Sequence, residues 1–169
     1  MLGVFFGFLI LQLQELHQDI STQKETAFWV FHQNRQVVLS LQKGQIAYFF
    51  SDAENDQIAQ LQEDFRRTQN IVEVRELQQQ NLHQMKTLGL LRIGKENTWV
   101  ALPQKPTHLL LTHNAQIHLE RWLNYYEPEL VIADGSNTTW QIARWKKTCL
   151  AHGIAFHATV EKGAYKISL

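Results

Sequence analysis

Cys149 is the only cysteine in 169 residues, which excludes an internal disulfide and removes thiolate-based structural zinc. Ile142 and Trp145 precede it at helical spacing, so it reads as a small core side chain. Excess charge is missing too. Sixteen Lys and Arg balance sixteen Asp and Glu, so no long-range field draws in nucleic acid or an anionic membrane, and any such partner must be met locally. The chain has no Gly-x-Ser-x-Gly elbow, P-loop or dinucleotide fingerprint, and Ser136 has no base evident from the sequence; nucleophilic and nucleotide-cradling chemistry therefore lack support. An apolar run long enough to span a bilayer is also lacking. Nothing is polar from Met1 to Leu11, yet a spanning helix needs about 20 such residues. No Lys or Arg precedes Lys24, so the positive flank of a signal peptide is absent.

That first stretch, "MLGVFFGFLILQL", offers no polar face to water. Residues 1–25 are expected to form an apolar N-terminal helix and a connector. The favoured reading is the end of a membrane helix whose first half lies upstream of Met1, and the alternative is a helix packed on the domain. Residues 26–169 are expected to form one domain, since 44% apolar composition suits a single core.

Within that domain the hydrophobic period changes partway. "TAFWVFH", "RQVVLSL" and "QIAYFF" are β-branched and aromatic runs broken by turns at "QNR" and Lys43-Gly44, and predict a three-strand meander. "AENDQIAQLQEDFRRTQ" sets Ile58, Leu61 and Phe65 on one helical stripe, with acids first and Arg66-Arg67 last. "IVEV" reads as a short strand and "ELQQQNLHQMK" as a loop or short helix. "TLGLLRI" and "NTWVAL" read as a hairpin around Gly94-Lys95-Glu96, and "PQKP" marks a boundary. Beyond it, strand "THLLLTH", helix 115–126, strand "ELVIAD", helix 138–151 and strand "IAFHA" alternate, followed by "AYKISL". Such alternation predicts parallel neighbours with helices packed on the sheet. The uninterrupted "LLL" and "LVIA" belong at its centre, covered on both faces.

In a parallel sheet, chemistry sits where strands give way to helix N-termini. His113 follows "LLLT" and Asp134 follows "ELVIA", so adjacent strands would bring both to one crevice. "GSNTT" (135–139) then supplies backbone N–H groups for an anion, with Ser136 or Asn137 as a helix cap. The competing account is purely structural: Ser136 or Asn137 caps the helix and Asp134 fixes the turn. His108, His113 and His118 lie five apart, as do His152 and His157, a spacing that forms no local chelate on strand or helix. Trp140, Arg144 and Lys147 share one face of helix 138–151, where an indole beside two cations is able to stack a nucleobase and pair a phosphate. A solvated face with one half-buried aromatic is the alternative.

Three segments carry a resemblance. "THNA" (112–115), "ADGSNT" (133–138) and "VEKGAYKISL" (160–169) follow the order of motifs that close the metallo-β-lactamase-like domain of ComEC-type proteins of DNA uptake and competence. There a strand ends in His-His-Gly-Ser, a Ser- or Ala-Gly-x-Asn loop follows, and Asp-x-x-Gly-Ala leads into a last strand. "VVLSLQKGQIAYFF" (37–50) is similar to the region of that family's Val-Gly-Gln-Gly-Asp-Ala turn, with Gly44 and Ala47 in common. The chain resembles a divergent, Bacteroidetes-like version, because His-x-His-x-Asp-His is missing and His83 is the only histidine between Ser51 and Gln104. The resemblance implies an αββα sandwich with mixed sheets and a non-catalytic C-terminal soluble domain of a DNA-uptake membrane protein. It implies no cofactor, no metal and no catalytic residue, with His113 a relic at a former ligand position. A hydrolytic zinc needs about three protein ligands. The implied partners are a membrane channel portion of the same or a neighbouring protein, single-stranded or duplex DNA, and the membrane through the N-terminal helix. The implied location is at the inner membrane, with the domain periplasmic. The alternative is a metal-dependent phosphodiesterase or nuclease using His113, Asp134 and Ser136.

Overall fold

The alternating faces of two central strands set the architecture. In β7 (His108–Leu111) and β8 (Leu130–Ala133) every residue from Leu109 to Leu111 and from Leu130 to Ala133 is buried. Leu109, Leu111, Val131 and Ala133 pack with one hydrophobic cluster, and Leu110, Leu130 and Ile132 with another. A strand apolar on both faces must be covered on both, and here a helical layer covers one side and a second sheet the other. The computed structural model describes residues 25–52, 56–85, 87–95, 102 and 104–169. The expected N-terminal helix, up to Lys24, and most of "NTWVAL" lie outside the described residues.

The first sheet has the order β10-β1-β2-β3-β4, and the second β5-β6-β7-β8-β9. The expected meander is β1 (Thr26–Val30), β2 (Val38–Lys43) and β3 (Ile46–Ser51), paired antiparallel. Gly44, at φ 59°, closes the β2–β3 turn in the left-handed region that glycine enters without steric cost. Helix α1 (Asp56–Thr68) buries Ile58 and Phe65 against the outer face of this sheet, with Phe31 and Phe49. A parallel strand, β4 (Glu73–Gln78), forms its edge.

The second sheet begins with β5 (Leu82–Gln84) antiparallel to β6 (Gly89–Ile93), then runs parallel through β7, β8 and β9 (Ala155–Ala158). Helices α2 (Leu119–Tyr126) and α3 (Thr139–Ala151) cover its outer face with Trp122, Tyr126, Ile142, Trp145 and Cys149. After the single turn α4 (Thr159–Lys162), β10 (Tyr165–Ser168) crosses to the first sheet and pairs antiparallel with β1. The described residues thus form an α/β sandwich of helix, mixed sheet, mixed sheet and helices. Phe28, Leu39, Phe50, Leu90, Leu110 and Ile132 fill the space between the sheets.

Three sequence expectations are corrected. Strand "IVEV" begins later, at Glu73, because Ile71 turns into the α1 cluster. Part of "ELQQQNLHQMK" is extended, as β5 finds a partner in β6. Helix 115–126 starts only at Leu119, since Ala115 is buried in irregular chain that bonds back to Thr112. No helix among the described residues is long and apolar enough to cross a membrane.

Leu110 is fully buried between the sheets, whereas Leu150 on α3 is 81% exposed. Leu110→Ala is expected to cost about 2–5 kcal/mol in urea unfolding through transfer and cavity effects, and Leu150→Ala to stay within about 0.5 kcal/mol.

Candidate functional site

One end of the sandwich gathers the chemistry-bearing residues. Asp134 follows β8 and is fully buried. Its Oδ1 accepts from the Ser136 hydroxyl at 2.5 Å, the Ser136 N–H at 3.1 Å and the Asn137 Nδ2 at 3.0 Å. Asn137 Nδ2 also donates to the carbonyls of Leu111 (2.7 Å) and Asp134 (3.1 Å). These bonds wind the β8–α3 turn around one carboxylate oxygen, the arrangement an Asx turn favours. Asp134 Oδ2 is buried without a hydrogen-bond partner among the described residues.

The turn in turn holds the segment after β7. The His113 N–H donates to Ser136 Oγ at 2.8 Å, and the Asn114 N–H to Asn137 Oδ1 at 2.8 Å. Asn114 reciprocates, its Oδ1 accepting from the Thr138 N–H (2.8 Å) and hydroxyl (3.0 Å). His113 and Asn114 both adopt left-handed backbone, at φ 52° and 53°, which is uncommon for residues with a Cβ. Here the two side chains of the neighbouring loop satisfy both amides.

His113 and Asp134, which the sequence places at neighbouring strand ends, are thus brought together, but through Ser136 rather than side chain to side chain. The His113 imidazole reaches the other sheet: Nε2 lies 2.8 Å from Asp52 Oδ2. A carboxylate only accepts, so that nitrogen carries the proton. Asp52 follows β3 and accepts the Val37 N–H on its other oxygen at 3.0 Å. Two further contacts join the sheets at this end. His32 Nδ1 lies 3.1 Å from Thr159 Oγ1, and the Arg35 N–H donates to the Gly135 carbonyl at 2.9 Å. A Cβ on Gly135 would stand 2.2 Å from the Gln33 carbonyl oxygen, so the loops of the two sheets meet with no room for a side chain there.

Ser136 and Asn137, read as helix caps, are instead committed to Asp134 and the β7 loop. Thr138 is the N-cap of α3, and its side chain makes no capping bond. Among the described residues the other histidines do not converge on His113. His108 sits at the start of β7, bonded to Thr107 (2.8 Å); His118 is exposed before α2; His157 bonds the Gly163 carbonyl at 3.0 Å. His83 is wedged between Phe28 and Phe50, with ring centroids 5.0 and 4.7 Å away. Among the described residues no group of three or more His, Cys, Asp or Glu is placed to hold a metal ion. Nothing in the sequence singles out Asp52, His32 or Thr159. On α3, Trp140 is 70% exposed with the Arg144 guanidinium 5.9 Å from its ring centre, and Lys147 is exposed one turn further on.

Burial pushes the Asp134 carboxyl up to about 7; the Ser136 bonds pull it down, the Asp52 charge adds to the rise and Arg92 opposes it. Between its ordinary value of 3.8 and about 7 the folded chain therefore holds a proton that the unfolded chain has released, and Asp134 withdraws stability as pH rises through that window. His83 acts with the opposite sign. Desolvation lowers it from 6.5 to about 4, so its neutral burial becomes less costly as pH rises across the same region. Asp134→Asn is expected to remove the first effect alone. Urea unfolding of the variant gains roughly 2–4 kcal/mol on the wild type between acid and neutral pH. A constant offset over that range contradicts the assignment.

Comparison with protein-family models finds the ComEC C-terminal domain over residues 28–169. Comparisons with curated proteins and with solved structures gave no match. The family match takes in most of the chain, from the second residue of β1's apolar core through β10, so that both sheets and the Asp134 turn fall within it: this chain belongs to the ComEC C-terminal domain family.

Proposed function

We propose that the chain is a non-catalytic C-terminal domain of a ComEC-type DNA-uptake membrane protein, carried beside the channel portion on the periplasmic side of the inner membrane. In this reading the crevice of a metallo-β-lactamase-like sandwich holds two sheets together instead of performing hydrolysis. One observation carries it: the His113 imidazole, at the strand end where the sequence places a ligand, is committed to Asp52 across the sheets at 2.8 Å. The donor set does not fit a hydrolytic metal. Asp134 Oδ1 already accepts three hydrogen bonds, and a hydrolytic zinc needs about three protein ligands and an open position. Family membership supports the DNA-uptake context.

The competing reading is a metal-dependent phosphodiesterase around His113, Asp134 and Ser136. It draws on a single feature, the buried Asp134 Oδ2, which has no hydrogen-bond partner among the described residues.

Elemental analysis and a nuclease assay on the purified chain separate the two. The expected result is zinc and manganese well below one per chain and no hydrolysis of single-stranded or duplex DNA. Stoichiometric metal, with a nuclease activity abolished by His113→Ala, overturns the proposal.

A further inference from the structure

His83 is a buried titratable side chain outside the Asp134 seam. It is 6% exposed, and its ring lies between Phe28 of β1 and Phe50 of β3, so it points from the second sheet into the first. Its Nε2 is buried without a hydrogen-bond partner among the described residues, and a hydrogen bond to the Gln80 backbone engages the other ring nitrogen. A carbonyl only accepts, so Nδ1 carries the proton of the neutral ring and Nε2 is left as a bare lone pair. Protonation would put a charged N–H at Nε2 with no acceptor to take it, which an apolar interior penalises.

The elements packed around the ring offer that charge no relief. β1 and β3 present Phe28 and Phe50, and β6 sets Leu90 opposite His83 in register. Among the described residues the charged side chain that acts on the ring is Arg92 of β6, which has the same sign and opposes protonation. Desolvation is the larger effect, and together they hold the imidazole at about 4 in place of 6.5.

The strand that carries this ring is lightly held. β5 has three residues, stands at the edge of the second sheet and pairs with β6 alone. Side chains alternate along a strand: Leu82 packs on the helical side, Gln84 bonds the Gln104 side chain at 2.5 Å, and His83 alone of the three reaches across to the first sheet. The bonds that flank β5 run from the Arg92 N–H to the Asn81 carbonyl (2.7 Å), from the Arg92 guanidinium to Asn81 Oδ1 (2.7 Å) and from the Met85 N–H to the Leu88 carbonyl (2.8 Å).

We propose that β5 is an acid-released latch: protonation of His83 expels its ring from between Phe28 and Phe50, β5 leaves β6, and the edge of β6 and the two phenylalanine rings are uncovered. Release is local, because a short edge strand opens at far lower cost than β7 and β8, which are paired on both sides and buried on both faces. The sign follows from linkage. From 6.5 down to about 4 the released ring takes up a proton that the docked ring refuses, so opening becomes about tenfold easier per pH unit within that window and is suppressed above it. The inference goes beyond the reading of the crevice and does not rest on it: metal or hydrolysis at His113 leaves the latch standing, and a β5 that stays closed leaves the crevice reading standing.

Amide hydrogen exchange followed by NMR on the full 169-residue chain tests it, with each amide expressed as a protection factor so that the pH dependence of the intrinsic rate cancels. Between about pH 6.5 and 4.5, protection of the Arg92 and Met85 amides is expected to fall roughly a hundredfold, and that of Leu110 in β7 is expected not to follow. The His83 ring signals titrate together with that loss, well below 6.5. His83→Phe keeps a ring in the gap without a titratable nitrogen, and its Arg92 and Met85 protection is expected to stay constant over the range. Near-ultraviolet circular dichroism checks that this variant folds, and the wild-type ring titration decides the matter if it does not. Constant protection at Arg92 and Met85 in the wild type, an equal loss at Leu110, a His83 ring that titrates at its ordinary value with β5 still protected, or the same loss in folded His83→Phe overturns the proposal.

Discussion

A single buried oxygen, Asp134 Oδ1, organises the end of the molecule where chemistry would be expected. Placing a carboxylate in a dry interior is costly unless its lone pairs are met, and here three donors from Ser136 and Asn137 meet one oxygen. Those bonds fix the β8–α3 turn, and the turn presents Ser136 Oγ and Asn137 Oδ1 to the amides of His113 and Asn114. Only with that support does the chain after β7 keep two consecutive left-handed residues. The left-handed kink in turn aims the His113 ring across to Asp52 on the other sheet. Each step is local, yet together they join β3, β7 and β8.

The other contacts at this end follow the same logic. His32 with Thr159 and Arg35 with Gly135 both run from the β1–β2 loop to loops of the second sheet. The inter-sheet core is apolar and non-directional, so it holds the sheets face to face without fixing how their ends align. Hydrogen bonds have direction, and the seam supplies the alignment that the core does not.

Much of the second sheet is legible in the sequence, because "LLL" and "LVIA" are apolar without a break and α3 carries Ile142, Trp145 and Cys149 at helical spacing. His113 and Asp134 are legible for the same reason, as polar residues that end apolar runs. Asp52 is not. It follows β3 in an ordinary polar stretch, and its importance comes from a contact with a residue remote in the chain. The same holds for His32 and Thr159, and for β10, whose sequence says strand but not which sheet it joins. β4 is legible as a strand but with its start misplaced, because it is an exposed edge with little alternation to fix its bounds, and β5 is only three residues long, too short for periodicity to distinguish it from a loop. The late start of α2 escaped because buried Ala115 fits a helical stripe as well as the irregular turn it occupies.

The central claim is that this end of the sandwich is a hydrogen-bonded seam whose Asp52–His113 contact ties the two sheets. A double-mutant cycle on that pair addresses it most directly, using Asp52→Asn, His113→Asn and the double variant, each unfolded in urea. The account predicts that each single change destabilises and that the pair couples by about 0.5–3 kcal/mol, the range for residues in direct contact. Additive effects, with His113→Asn as stable as the wild type, would show that the histidine holds nothing together and contradict the account.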